Sequence, residues 1–235
     1  MIKYLQLPFH FDAGRMQEDL LSLDTTTWQL HYQKLHYEGE WSAIPLRSVD
    51  GRADNIIIAP QQNATYKDTV FLQACPYLQT ALQTFKCPLQ AVRLLKLNAG
   101  AIIKEHRDAE LNFEKGEIRL HIPVITHDDV EFYLDKERLS LKEGECWYMN
   151  FTLPHSIINN SKINRIHLVI DAVVNDWVKE LFAQPAINKK EIAETGYDHE
   201  TKKLMIVQLR QLNTETSNRM ADEMEASFAA QDHNS

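Results

Sequence analysis

The chain has 235 residues, 44% of them hydrophobic and 25% charged, a composition that builds a packed core and excludes generic disorder. Its 25 Lys and Arg against 33 Asp and Glu give a net charge of −8, so it lacks the basic footprint of a nonspecific nucleic-acid binder. Three cysteines without a C-x-x-C pair, no signal-peptide pattern and no apolar run of about 18 residues point to a cytoplasmic protein with no membrane partner.

Residues 2–7 read as a short strand. Asp12 is placed to cap a helix over about residues 13–23, with Met16, Leu20, Leu21 and Leu23 on one side. Residues 28–49 alternate as a strand does, around Gly39, and residues 55–59 (NIIIA) read as a short buried strand. Residues 73–86 carry Leu78, Leu82 and Phe85 at helical spacing. From Pro88 the texture changes. Val92, Leu94 and Leu95 open a strand, Asn98-Ala99-Gly100 makes a turn, and Ile102 and Ile103 lead into EHRD. Residues 117–126, 130–135, 139–141, 145–150 and 165–174 follow as short strands between Gly, Asn, Asp and Lys turns. That spacing predicts a mainly β core, a sandwich, jelly roll or barrel, with flanking helices. Asn175 or Asp176 caps a helix to about Ala183, and Pro185 ends it. Beyond it, Leu204, Met205, Leu209 and Leu212, then Met220, Met224 and Phe228, predict two amphipathic docking helices before a loose QDHNS tail. The expected organisation is a β core over residues 1–184, with an N-terminal α/β elaboration, and a helical extension over residues 185–235.

The sharpest chemical feature is His106-Arg107-Asp108. In a strand, residues i and i+2 face the same way, so an imidazole and a carboxylate stand side by side. A third ligand from another strand would complete a facial triad of two histidines and one carboxylate, the arrangement of non-haem Fe(II) oxygenases. H-x-D alone decides little. It recurs at His10-Phe11-Asp12, where Asp12 is a helix cap, and at His127-Asp128-Asp129, which reads as a polar turn; His36-Tyr37-Glu38 is a near match. Context favours His106. Leu153-Pro154-His155-Ser156 follows the strand ECWYMNF, and ten residues later Arg165 heads an apolar strand. In RIHLVID, Arg165, His167 and Val169 share one face. A buried arginine needs an anion, and spacing leaves open whether that is a small carboxylate ligand or a core Asp or Glu. Arg119 and His121 alternate onto one face, opposite Leu120 and Ile122, and Arg93 lies on another strand. Three arginines with several histidines exceed what a plain core holds, and predict a cavity for a dicarboxylate and a second acid. Cys75, Cys87, Trp41, Trp147, Tyr148 and Phe151 read as packing, and His167 as a satisfied core histidine.

The segments LNAGAIIKEHRD, GEIRLHIPV, GECWYMNFTLPHS and RIHLVIDAVVNDW, roughly residues 90–177, together resemble the aspartyl/asparaginyl β-hydroxylase family of Fe(II)/2-oxoglutarate oxygenases. Asp108 stands where the vertebrate peptidyl members have Gly, so the chain looks like the bacterial, proline-hydroxylase branch. The resemblance implies a double-stranded β-helix, with His106, Asp108 and His155 as Fe(II) ligands and Arg165 on the remote carboxylate of 2-oxoglutarate. It implies that Arg119 and His121 line the cosubstrate or substrate pocket and that Arg93 serves the substrate. The implied reaction uses O2 to hydroxylate a C–H bond and releases succinate and CO2. The substrate is left open between a free amino acid, held by Arg93 or Arg119, and an Asp or Asn in a peptide or carrier-bound intermediate. A cupin-like binder of metal or small acids, without oxygenase chemistry, is the reading of a different class. Residues 1–89 and 185–235 carry no diagnostic resemblance, and oligomeric state has no signature.

Overall fold

The computed structural model describes all residues except 59–63, 109–110, 187, 194–198 and 233–235. The chain divides into two compact units, Met1–Ile192 and Ala193–Ser235. The first opens with β1 (Ile2–His10), α1 (Ala13–Leu21), β2 (Gln29–Leu30), β3 (Tyr37–Glu38), β4 (Trp41–Val49) and β5 (Tyr66–Asp68). Two short helices follow, α2 (Val70–Gln73) and α3 (Pro76–Leu82). Then come β6 (Leu89–Leu97), β7 (Ile102–His106), β8 (Glu117–Ile125), β9 (Val130–Leu134), β10 (Glu137–Leu139), β11 (Glu145–Met149), β12 (His155–Asn159) and β13 (Arg165–Val173). The unit ends with α4 (Asp176–Ala183) and β14 (Lys189–Glu191).

Two antiparallel sheets form a jelly roll, as the strand spacing predicts. The larger runs β14-β1-β11-β8-β13-β6-β4-β2, with β5 on β4; the smaller runs β10-β9-β12-β7-β3. Period-2 alternation gives the larger sheet two different faces. On one, Leu168 and Ile170 of β13 join Leu120, Ile122 and Leu94 in a core closed by Met16, Leu78, Val178 and Phe182 from the helices. The other contributes Leu95, Leu97, Trp147, Met149 and Val169 to a second core with Phe132, Leu134 and Ile157 of the smaller sheet. Arg165, His167 and Asp171 of β13 fall on this inner face, fully buried. Each such position would gain about 1.5–3 kcal/mol if aliphatic. The chain forgoes that gain at several neighbouring positions, which marks the inner wall as a site.

Local signals explain the helix limits. Asp12 accepts from the Arg15 N–H and starts α1; Asn175 accepts from Val178 and starts α4. The helix expected over 73–86 is instead two. Pro76 opens α3, and Cys75 before it is forced out of the helical region (φ −120°, ψ 76°), breaking continuity with α2. Residues 28–40, expected as strand, form only β2 and β3 around 3₁₀ turns, and the regular strand begins at Trp41. Residues 55–58 of NIIIA form no strand: the Asn55 side chain accepts the Ile57 N–H and bends the chain locally, and Ala59 lies outside the described residues. Where helix was expected after Pro185, β14 instead pairs antiparallel with β1.

The second unit contains α5 (His199–Leu212) and α6 (Glu215–Asp232), joined through Asn213 in the left-handed region (φ 47°). Arg210 bridges Asp222 and Glu225 across the pair. The Phe228 side chain and the last three residues lie outside what is described. Among the described residues no helix is long and apolar enough to cross a membrane.

Candidate active site

His106 ends β7 and His155 begins β12, and the two face each other directly in the ladder. The chain then leaves β7, and the Asp108 N–H donates to the Phe151 carbonyl (2.9 Å). The result is that one ligand atom from each of His106, Asp108 and His155 lies within 4.8 Å of the others. Among the described residues no other group of three or more such side chains is so assembled; His10, His36 and His127 are not part of it.

Second partners fix the imidazole tautomers. His106 Nδ1 donates to the Lys104 carbonyl (2.8 Å) and His155 Nδ1 to the Leu153 carbonyl (3.0 Å). A carbonyl only accepts, so Nδ1 carries a proton in both rings, and Nε2 is the nitrogen each neutral ring leaves bare. Burial, with His106 close by, pushes His155 down to about 4, so it is neutral at pH 7. Burial alone would raise the Asp108 carboxyl, but Arg119, His155, His106 and Arg93 outweigh it and hold it below its ordinary range. Two bare imidazole nitrogens and an ionised carboxylate are a donor set that suits a divalent first-row metal.

The wall beside this cluster is basic but not unbalanced. Asp171, directly opposite Arg119 in the ladder, is buried and accepts from Arg119 Nε (2.6 Å) and Nη2 (3.2 Å) and from Arg93 Nη2 (3.2 Å). Arg119 Nη1 donates to Asp108 Oδ2 (2.5 Å). The inference of free positive charge from three arginines is thus corrected for two of them: Asp171 is their internal counter-ion. The alternation that places Arg165, His167 and Val169 on one face places Asp171 there too, two residues further, so the signal was present in RIHLVID.

Arg165 differs. It is 1% exposed and among the described residues has no acidic partner; Nη2 donates to His167 Nδ1 (2.8 Å) and Nε is buried without one. Burial pushes its guanidinium down to about 9, still protonated at neutral pH. Because arginine only donates, His167 Nδ1 must accept, and its proton is on Nε2. His121 Nδ1 lies 3.3 Å from the same atom, whose one lone pair the guanidinium already takes. His167, expected as a satisfied core residue, is satisfied on one nitrogen only: its Nε2, like His121 Nε2, has no partner. A buried guanidinium aligned by a neutral imidazole, with its Nε–H unmatched, fits an anionic ligand group better than an internal ion pair.

A cavity of about 980 Å³ joins these groups. His106, Asp108, Arg119, His121, His155 and Arg165 line it, with Arg93, His31, Tyr32 and Trp41 also on its wall. His31 was not singled out from the sequence, where it is one polar residue in a stretch that alternates as a strand does. It is buried and stacked on Trp41 (ring centroids 3.5 Å apart), and burial, then Arg93 and Arg119, push it down to about 3.

His31, His121 and His167 are therefore neutral when folded, the latter two held well below the ordinary range first by burial. Unfolded, each takes up a proton near pH 6.5. Stability is full above that pH and falls below it, by about 1.4 kcal/mol per pH unit for each histidine. The metal-free protein is expected to melt at steeply lower temperature as pH drops from 6.5 to 4, with up to four protons taken up on unfolding, the fourth by His155. A flat profile across that window would show these rings protonated in the fold.

The profile of the Aspartyl/Asparaginyl beta-hydroxylase family matches residues 12–174. The chain is 29% identical over 163 residues to an L-proline cis-4-hydroxylase of Rhizobium meliloti (strain 1021), covering 68% of this chain and 57% of that protein. It is 26% identical over 183 residues to L-proline cis-3-hydroxylase 2 of a Streptomyces species, covering 75% and 62%. The chain thus spans about three fifths of the length of these curated relatives. Among solved structures, an oxidoreductase of the 2OG-Fe(II) oxygenase family from Burkholderia pseudomallei shares the fold with a TM-score of 0.51 at 14% identity, over 74% of this chain and 86% of that one.

Proposed function

We propose, since the chain belongs to the aspartyl/asparaginyl β-hydroxylase family, that it is an Fe(II)- and 2-oxoglutarate-dependent hydroxylase of an amino-acid C–H bond. The observation that carries the reading is Arg165, a buried guanidinium without an acid partner, lining the same cavity as the His106, Asp108 and His155 cluster. His106 and His155 would hold the metal through their bare Nε2 atoms and Asp108 through its carboxylate. Bound Fe(II) supplies the activation of O2 by which 2-oxoglutarate becomes succinate and CO2 while a substrate C–H becomes C–OH.

The chain's own residues bind, orient and shield. Arg165, aligned by His167, receives the remote carboxylate of 2-oxoglutarate on donors that need no internal rearrangement. His121 lines the cavity with Phe151 stacked on its ring (5.0 Å), and its Nε2, without a partner among the described residues, can bond a ligand. Phe151, Phe132 and Ile157 keep water from this end. Arg93 keeps a buried Nε without a partner after its single bond to Asp171, and so can take the substrate's α-carboxylate. Three unpaired cysteines suit a cytoplasmic setting.

A free amino acid is the favoured substrate, supported by Arg93 and by the L-proline hydroxylases among the relatives. The cavity volume of about 980 Å³ favours a second reading, an amino acid within a peptide or carrier-bound intermediate. Anaerobic addition of 2-oxoglutarate to the Fe(II) protein is expected to give a weak visible charge-transfer band, and succinate release on screening then separates free amino acids from peptides. Iron bound with no band and no succinate would replace this reading by a metal-binding cupin-like protein without oxygenase activity.

A further inference from the structure

We propose that Arg119 is a positioning residue: braced by Asp171, it occupies one oxygen of Asp108 so that only the other is presented to a metal. The proposal rests on the reading above, in which Asp108 is a metal ligand.

All three nitrogens of Arg119 are engaged. Nε and Nη2 form a fork on the two oxygens of Asp171 (2.6 and 3.2 Å), and that fork fixes the plane of the guanidinium. The direction of Nη1 follows from the plane, and it points at Asp108 Oδ2 (2.5 Å). The base of the brace is rigid, because Arg119 and Asp171 sit opposite each other in the β8–β13 ladder. Asp108 itself is in no strand, so its carboxylate needs a brace from elsewhere. The oxygen that Arg119 leaves alone, Oδ1, is the one 3.9 Å from His106 Nε2.

A carboxylate with two free oxygens can grip a cation with both, and then takes an additional coordination position. A two-histidine, one-carboxylate site works by keeping positions open. Arg119 keeps one open by holding Oδ2. It is thereby spent, and is not available as a receptor for a ligand carboxylate; Arg93, with a spare Nε, shares Asp171 without this duty. Burial of Asp171 serves the same end, since a buried carboxylate between two guanidiniums has no solvated alternative.

The test compares metal-free wild type, Arg119→Gln and Asp171→Asn, each titrated with Co(II), by visible absorption, and then with 2-oxoglutarate without O2. Arg119→Gln is expected to bind Co(II) about 10–100-fold more weakly, to change its ligand-field spectrum at saturating Co(II), and to bind 2-oxoglutarate about tenfold or more weakly. Asp171→Asn, which keeps both the shape of the side chain and Arg119 itself, moves the same quantities in the same direction, and carries the test should Arg119→Gln fail to fold. Arg119→Lys, a single point charge that cannot span both carboxylates, does not restore the wild-type spectrum. Unchanged spectrum and 2-oxoglutarate affinity in Arg119→Gln, with only the substrate KM raised, would make Arg119 a substrate anchor and overturn the proposal while leaving the hydroxylase reading intact. Failure of wild type itself to bind 2-oxoglutarate on Co(II) would remove the hydroxylase reading, and is seen without any variant.

Discussion

His155→Ala is expected to abolish succinate release and to weaken metal binding by more than the roughly 10–100-fold that losing an outer partner of a ligand costs. The reason lies in the division of labour on that ring: Nδ1 is spent on the Leu153 carbonyl, and the bare Nε2 has no other use in the fold. The variant also leaves that carbonyl short of a partner, at about 1–3 kcal/mol. Stability and metal binding must therefore be read separately. Added Co(II) should raise the melting temperature of wild type, because a ligand of the folded state stabilises it, and should do so far less in the variant. Equal metal-induced shifts in both proteins would place the metal elsewhere.

Arg165→Met is expected to act in two opposite senses. Without ligand, the buried guanidinium has only a neutral imidazole for company, and apolar replacement of a buried charge stabilises by about 1–4 kcal/mol. The ligand-free variant should melt higher than wild type. Its affinity for 2-oxoglutarate should fall by about thirtyfold or more, since losing one partner of a buried charge pair costs about 2–5 kcal/mol. Isothermal titration against 2-oxoglutarate, beside thermal unfolding without it, measures both. A lower melting temperature with undiminished affinity would make Arg165 a structural residue. The opposed signs are the mark of a group maintained for a ligand rather than for the fold.

What was legible in the chain follows the reach of each physical signal. Alternation in GEIRLHIPV and RIHLVIDAV places Arg119, His121, Arg165 and His167 on one face, and the sheet register bears this out, because a buried strand tolerates no slip of one residue. Asp12 and Asn175 were legible as caps, because capping is a contact within a single turn. Failures came where pairing decides. NIIIA has the composition of a strand, but residues 55–58 find no neighbour, and β14 has the composition of a surface loop yet completes a ladder with β1. At the site, the His106, Asp108 and His155 grouping could be anticipated from the order of motifs. The fork of Arg119 on Asp171 could not be weighed until β8 and β13 were known to be neighbours, since charge alone does not say which arginine an acid meets.

The strands that end the two sheets are short: β14 and β10 have three residues each, β2 and β3 two. A long unpaired border would be a template on which a second chain could add. Here β14, the exposed segment Lys-Lys-Glu, lies along the nine-residue β1, whose Leu5 and Leu7 are buried in the core. Three charged residues thus act as a gatekeeper against edge-to-edge aggregation, a safeguard for a sandwich whose inner wall carries a cluster of buried polar groups.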